Sequence, residues 1–266
     1  MTCPDWPLCR GAVVPSLADG TIWEWTHRLF AFSLGPLVVA LLVVAWAKRD
    51  RSRLITPTAS AVAALLGVQI FLGAATVHLN NSPISVVLHW GTAMAFIASL
   101  VALAIFARDD RQAVTSNALT TGLGVTAFAA FATMCVGAYV SSSGAGLACL
   151  SVPECAGHVI TYSPGQLVQM LHRALAGVTV LMIAITFAWS LLARAHSRVR
   201  AAALAAVILV FVQVLLGLLN VVWRLPTDLR EAHALNAALL FLALIVATVF
   251  SALDHESVAT AAVRVS

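Results

Sequence analysis

The chain has 266 residues, of which 61% are hydrophobic and only 10% charged, with a net charge of +4. Soluble domains average about 45–50% apolar and about 25% charged residues, so a mean hydropathy of +0.96 excludes an ordinary soluble domain. Apolar stretches that run on continuously, rather than alternating residue by residue, exclude a strand-type membrane barrel.

In chain order, Cys3-Pro-Asp-Trp-Pro-Leu-Cys9 comes first. Apolar stretches of about 20 residues, long enough to cross a ~30 Å hydrocarbon layer as helices, then follow. They lie at about 26–47, 56–77, 84–107, 118–141, 166–193, 201–223 and 232–253. This predicts an all-α, multi-pass membrane protein with seven spans. The surplus of positive charge does not point to nucleic acid, because it sits in the connections. Lys48, Arg49, Arg51 and Arg53 fill the first connection, Arg108 and Arg111 the third, and Arg194, Arg198 and Arg200 the fifth. The connections at 78–83 and 142–163 hold no Lys or Arg. The positive-inside rule therefore predicts that odd connections are cytoplasmic and even ones external, although Arg224 and Arg230 in the sixth run against it. Cys3, Cys9, Cys149 and Cys155 then fall outside, where disulfides persist. They read as two matched pairs, with four free thiols as the alternative, and Cys-x5-Cys is not a zinc-knuckle spacing. Cys135 lies within a span and reads as a small apolar residue.

The chain also repeats itself. Cys3 to Cys9 is matched by Cys149 to Cys155, 146 residues later. His27-Arg28 is matched by His172-Arg173 after 145 residues, Gln69-x-x-Leu-Gly73 by Gln213-x-x-Leu-Gly217 after 144, and His89 by His233 after 144. One period carries four spans, so both repeats enter the membrane the same way up. The expected architecture is two parallel four-helix bundles, an N-terminal one over 1–110 and a C-terminal one over 111–266, a form that holds cofactors between facing helices. Nothing before Cys3 matches the span at 118–141, so the first bundle is expected to lack its initial helix, with a span belonging upstream.

Four of the eight histidines recur in the repeat, each near the expected outer end of its span. Ionisable side chains at membrane depth are costly and usually functional, and two imidazoles facing each other across a bundle hold a haem iron from both axial sides. His27 is therefore paired with His89, and His172 with His233, as two haem sites near the outer face. The alternative is four structural histidines bonded between helices. His78, His158, His196 and His255 are given no role, nor is the tail from Asp254 onward. Arg28 and Arg173 follow a ligand histidine directly and are candidates to pair with haem propionates, or simply to snorkel to the interface. Glu24 stands three residues before His27, where Gln169 stands before His172. A carboxylate can stabilise developing charge or move protons and an amide cannot titrate. The first half is thus expected to be reactive and the second to house a resident redox centre. The alternative is that Glu24 only favours a helix start.

The Cys3–Cys9 segment, Glu24-x-x-His27-Arg28, Gln69-x-x-Leu-Gly73, His89, Gly144-Ala-Gly146 before Cys149, Gln169-x-x-His172-Arg173 and His233 together resemble the haem A synthase family of cytochrome oxidase assembly proteins. The resemblance runs in order over nearly the whole chain. It implies an eight-helix enzyme that oxidises a methyl group of haem O to the formyl group of haem A. It also implies a resident haem b on His172 and His233, substrate haem on His27 and His89, Glu24 as catalytic acid, and Cys3 with Cys9 as an outer disulfide. The implied setting is the bacterial plasma membrane, with lipid, a membrane electron donor, haem O synthase and oxidase assembly factors as partners. Two other classes stay open: a di-haem cytochrome that only relays electrons to or from quinone, and a transporter without haem.

Overall fold

A computed structural model describes residues 2–18, 20–50, 53–109, 114, 116–155, 157–158 and 163–253. Arg51, Arg111, His255 and the tail from Asp254 lie outside the described residues. The described chain forms seven long helices: α1 (Thr21–Ala47), α2 (Ile55–His78), α3 (Pro83–Phe106), α4 (Ala118–Ser142), α5 (Pro164–Leu192), α6 (Ser197–Val222) and α7 (Thr227–Leu253). A single 3-10 turn, Ala145–Leu147, follows α4. All seven are long and apolar enough to cross a membrane, which makes the chain an integral, multi-pass membrane protein of the all-α class. At 24 to 29 residues and a rise of ~1.5 Å each, every helix exceeds the ~30 Å core.

The helices are longer than their apolar runs, chiefly at their starts. α1 begins at Thr21, taking Glu24 into its first turn, and α6 begins at Ser197, taking in Arg198 and Arg200. Polar residues end a hydropathy window but do not interrupt a helix, because backbone bonding continues into the interface. The starts are set locally. Ser82 Oγ accepts from Ser85 N–H with Pro83 following, Asn117 Oδ1 accepts from Thr120 N–H (2.7 Å), and His196 Nδ1 accepts from Arg198 N–H (3.2 Å), each satisfying an amide that a helix start leaves unpaired. The ends of α2 and α6 match. Asn80 and Asn81 turn into the left-handed region after α2, as do Arg224 and Leu225 after α6. Asn81 N–H then reaches back to Thr76 O (2.9 Å) and Leu225 N–H to Asn220 O (2.8 Å), closing orphan carbonyls.

The chain divides into two compact units, 1–112 and 113–266. In the first, α1 and α3 both pack against α2, around Val38, Ala45, Ala59, Val62, Leu66, Phe96 and Leu103. In the second, α4 packs on α5 and α7, and α6 packs on α5 and α7, a closed ring of four neighbours. Leu119, Leu123, Val199 and Ala247 form its core. Polar bonds join its helices where lipid could satisfy none: Thr120 Oγ1 with Ser251 Oγ (2.8 Å) and Thr133 Oγ1 with Thr179 Oγ1 (3.0 Å). The outer surfaces are apolar, with Phe30, Phe32 and Phe71 exposed on the first unit and Phe128 and Phe211 on the second, as a lipid solvent requires.

Candidate functional site

In the first unit, Cys3 and Cys9 form a disulfide, and Cys9 pairs its backbone with Ala12 in both directions (3.0 and 3.1 Å). Inside this loop Asp5 accepts from Arg10 N–H and Gly11 N–H. The Gly11 amide, helped by that of Arg10, holds the Asp5 carboxyl below its ordinary range, since hydrogen bonds to the charged form favour it. The loop is fastened to α1 by two side chains one turn apart. Glu24 Oε2 accepts from Thr2 N–H (2.9 Å), Thr2 Oγ1–H (2.8 Å) and Cys3 N–H (3.0 Å). Arg28 donates to Glu24 Oε1 (2.8 Å), Cys3 O (3.1 Å), Asp5 O (2.7 Å) and Leu8 O.

The second unit uses the same plan with one exchange. Cys149 and Cys155 form a disulfide, and Cys155 pairs its backbone with His158 (2.9 and 3.0 Å). Gln169 Oε1 accepts from Cys149 N–H (2.6 Å), while its Nε2 donates to Gly146 O (2.8 Å). Arg173 donates to Cys149 O (3.0 Å), Ser151 O (2.7 Å), Glu154 O (3.1 Å) and Pro153 O (3.3 Å). Glu24 and Gln169 thus receive the N–H of the equivalent cysteine, and Arg28 and Arg173 gather the carbonyls of the equivalent loop. Cys135 is the free cysteine and is half-buried.

Between these clamp residues, three positions after Glu24 on α1 and after Gln169 on α5, stand His27 and His172. The rings of His27 on α1 and His89 on α3 face each other with centroids 6.4 Å apart, nearly perpendicular at 81°. The His89 ring packs on Gly73 of α2, where a Cβ would stand 3.2 Å from Cε1. Gln69 Nε2 lies 3.3 Å from His89 Nε2. In the second unit His172 on α5 packs on Gly137 of α4, where a Cβ would stand 2.8 Å from Cε1, so a larger residue there would displace the ring. His172 Nδ1 meets the carbonyl of Thr133 at 3.1 Å, which makes Nδ1 the N–H and leaves the Nε2 lone pair available. His233 on α7 packs on Gly217 of α6 and meets Gln213 Nε2 at 3.1 and 3.3 Å through its two ring nitrogens.

The His27–His89 pair suits a porphyrin iron. Among the described residues no group of three His, Cys, Asp or Glu side chains could hold a metal ion, so any iron bound here must bring its own equatorial ligands, as haem does. An iron about 2 Å from each imidazole nitrogen, with about 1 Å more to each ring centre, puts the centroids roughly 6 Å apart, close to the His27–His89 separation. A ring N–H on a backbone carbonyl, as at His172, is the usual outer partner of a metal-bound imidazole. In each unit the two histidine-bearing helices pack on a shared neighbour, α2 in the first and α6 in the second.

Of the residues the sequence singled out, the structure brings together Glu24, Arg28 and the Cys3–Cys9 loop, and His27 with His89. It also joins Gln169, Arg173 and the Cys149–Cys155 loop. His78 ends α2, His158 bonds within its loop through its backbone, and His196 caps α6. Sequence reasoning passed over Thr133, Gly137 and Asn236, which touch the histidines or their partners. It also used Gln69 and Gln213 only as repeat markers. Their constant 20-residue separation from His89 and His233 was the signal available for them.

A family model described as cytochrome oxidase assembly protein (COX15-CtaA) matches residues 1–245. The chain is 31% identical over 257 residues to a protein named "Heme A synthase" from Bacillus licheniformis, covering 89% of this chain and 82% of the relative. Proteins of the same name from Alkalihalophilus pseudofirmus and Halalkalibacterium halodurans are each 30% identical, over 90% and 89% of this chain and 83% and 82% of their own. A chain with this loop-and-histidine plan, matched over almost its whole length, belongs to the COX15-CtaA family of cytochrome oxidase assembly proteins.

Proposed function

We propose that the chain is a haem A synthase, a membrane oxidoreductase that converts a methyl group of haem O to the formyl group of haem A for cytochrome oxidase assembly. The relatives' names support the activity, and the facing imidazoles of His27 and His89 are the observation in this chain that carries it. In this reading residues 1–110 form the substrate half, with His27 and His89 on the iron of haem O. Residues 111–266 form the half that keeps a resident haem b on His172 and His233. Bound haem supplies the redox chemistry.

The protein's own residues ligate, orient and set charge. The Thr133 carbonyl fixes the tautomer of His172, and Gly73, Gly137 and Gly217 let the rings approach neighbouring helices. Glu24 is the candidate catalytic carboxylate, a negative charge one turn from His27 whose position is set by Thr2, Cys3 and Arg28. Arg28 and Arg173 contribute positive charge towards haem propionates. Since most of their N–H donors hold loop carbonyls, that contribution acts through the field rather than through a bidentate fork. The basic connections support an orientation in the bacterial plasma membrane with both cysteine loops outside. Haem O supplied by its synthase, a membrane electron donor and oxidase assembly factors are the partners of this reading.

Pigment extracted from cells that supply haem O and express the chain tests it. Haem A should appear with the unaltered chain and vanish with His27→Ala. Persistence of haem O alone, with a bound-haem spectrum intact, would support a di-haem electron relay instead.

A further inference from the structure

We infer that Asn236 makes the two histidine sites chemically unlike, by fixing which end of a glutamine amide faces the ligand on α7. Resting on the haem reading of these sites, the inference concerns Gln213 and Gln69, which touch His233 and His89 respectively.

A neutral imidazole has one lone pair and one N–H, so when one nitrogen takes iron the other carries a proton and needs an acceptor. In the second unit Asn236 Nδ2 donates to the backbone carbonyl of Leu209 (2.9 Å) and to Gln213 Oε1 (2.7 Å). A backbone carbonyl cannot become a donor, so the polarity of this chain of bonds is fixed at its Leu209 end. Turning the Gln213 amide would set its NH2 against the NH2 of Asn236 and break the 2.7 Å bond. Gln213 therefore presents N–H to His233, not an acceptor.

In the first unit the position equivalent to Asn236, three residues after the histidine, is Thr92. Gln69 Oε1 is buried without a hydrogen-bond partner, and so is His89 Nδ1. An orphaned buried acceptor and an orphaned ring nitrogen on two touching side chains are costly separately and complementary together. Gln69 can turn its amide at little loss and give its carbonyl oxygen to His89 Nε2, the nitrogen it lies against, when that nitrogen bears the proton. An imidazole whose N–H is bonded to an acceptor is a stronger electron donor to its metal. His89 would thus stabilise oxidised iron more than His233 does. Gln69 and Asn236 act as positioning residues through the histidines they support.

The test swaps the two positions in the full-length chain in detergent, using Asn236→Thr and Thr92→Asn. In the haem-free chain with 15N-labelled histidine, Asn236→Thr should shift the ring-nitrogen resonances of His233 and leave those of His89 in place, and Thr92→Asn should do the reverse. In the haem-loaded chain, Asn236→Thr should lower the midpoint potential of the haem that His233→Ala removes. Gln69→Leu should raise that of the haem that His89→Ala removes. If Asn236→Thr misfolds, Gln213→Leu is measured instead and should move the same His233 resonances. Unchanged His233 resonances together with an unchanged potential would overturn the inference. Resonances that move as expected in a chain that never binds haem would leave it standing and overturn the haem reading.

Discussion

The two units solve one structural problem with different chemistry. Both fasten a seven-residue disulfide loop to the first turns of a long helix, and both do so with a residue that receives the first cysteine's N–H followed four positions later by an arginine. The second unit uses a neutral amide, Gln169, which is buried and makes one bond as acceptor and one as donor. The first uses a carboxylate, Glu24, which accepts four bonds, one from a guanidinium. Because an amide suffices to hold such a loop, the negative charge of Glu24 exceeds what holding requires. Loop fastening alone does not explain it.

The largest expected effects fall on the histidines. His172→Ala or His233→Ala should abolish the low-spin visible bands of resident haem in the purified chain, whereas His27→Ala should leave those bands and abolish haem A in the extracted pigment. If His27→Ala removed the resident bands as well, the division of labour between the units would be wrong. Next comes Glu24→Gln. The amide can still accept from Cys3 N–H, as Gln169 does from Cys149, so the loop stays fastened while the charge is lost. Haem A formation should fall about a hundredfold, the low end for loss of a positioned acid or base. Glu24→Ala, which loses charge and fastening together, should fall further, and full activity in Glu24→Gln would reduce Glu24 to a clamp.

How much of this was legible in the sequence follows from the range of the interactions. The seven helices were legible because apolar length is a local property, and only their charged first turns, such as Thr21 to Trp25 and Ser197 to Arg200, were cut short. The pairing of Cys3 with Cys9 and of Cys149 with Cys155 was legible as duplicated spacing. The contacts of Glu24 with Thr2 and of Arg173 with the carbonyls of Ser151 and Glu154 were not. They depend on a loop folding back over a helix end, and backbone acceptors leave no mark in side-chain identity. The Thr133 carbonyl at His172 and the Asn236–Gln213 bond were hidden for the same reason, since each joins residues from different helices whose register no local pattern reveals.

The disulfides give a smaller, thermodynamic contrast. Closing a loop of this length is worth about 2 kcal/mol by the chain-entropy estimate. Replacing Cys149 and Cys155 with Ser should therefore lower the thermal midpoint of the detergent-solubilised chain by a few degrees, with the resident haem bands retained. The same change at Cys3 and Cys9 should also release Thr2 and Cys3 from Glu24, so it should cost haem A formation as well as stability. Equal losses of activity from both pairs would mean that the loops serve the two units alike.

The smallest effect separates the loops by pH. Among the described residues only the first loop carries an acid whose carboxylate organises its turn, Asp5 receiving the Arg10 and Gly11 amides while those two residues sit in the left-handed region. Its carboxyl is held below the ordinary range. A group with a depressed folded value contributes stability at pH above its unfolded value, about 3.9 for Asp, and loses that contribution as pH falls through the lower folded value. Amide exchange at Arg10 and Gly11 should thus stay slow down to about pH 4 and quicken below it, while exchange at Cys155 and His158, whose loop bonds are purely backbone, should show no such step. Asp5→Asn keeps one acceptor oxygen and loses the charge, so it should make exchange at Gly11 faster at neutral pH and abolish the acid step. An acid step that survived in Asp5→Asn would assign it to another carboxylate fastening the same loop, Glu24 being the one in contact with it.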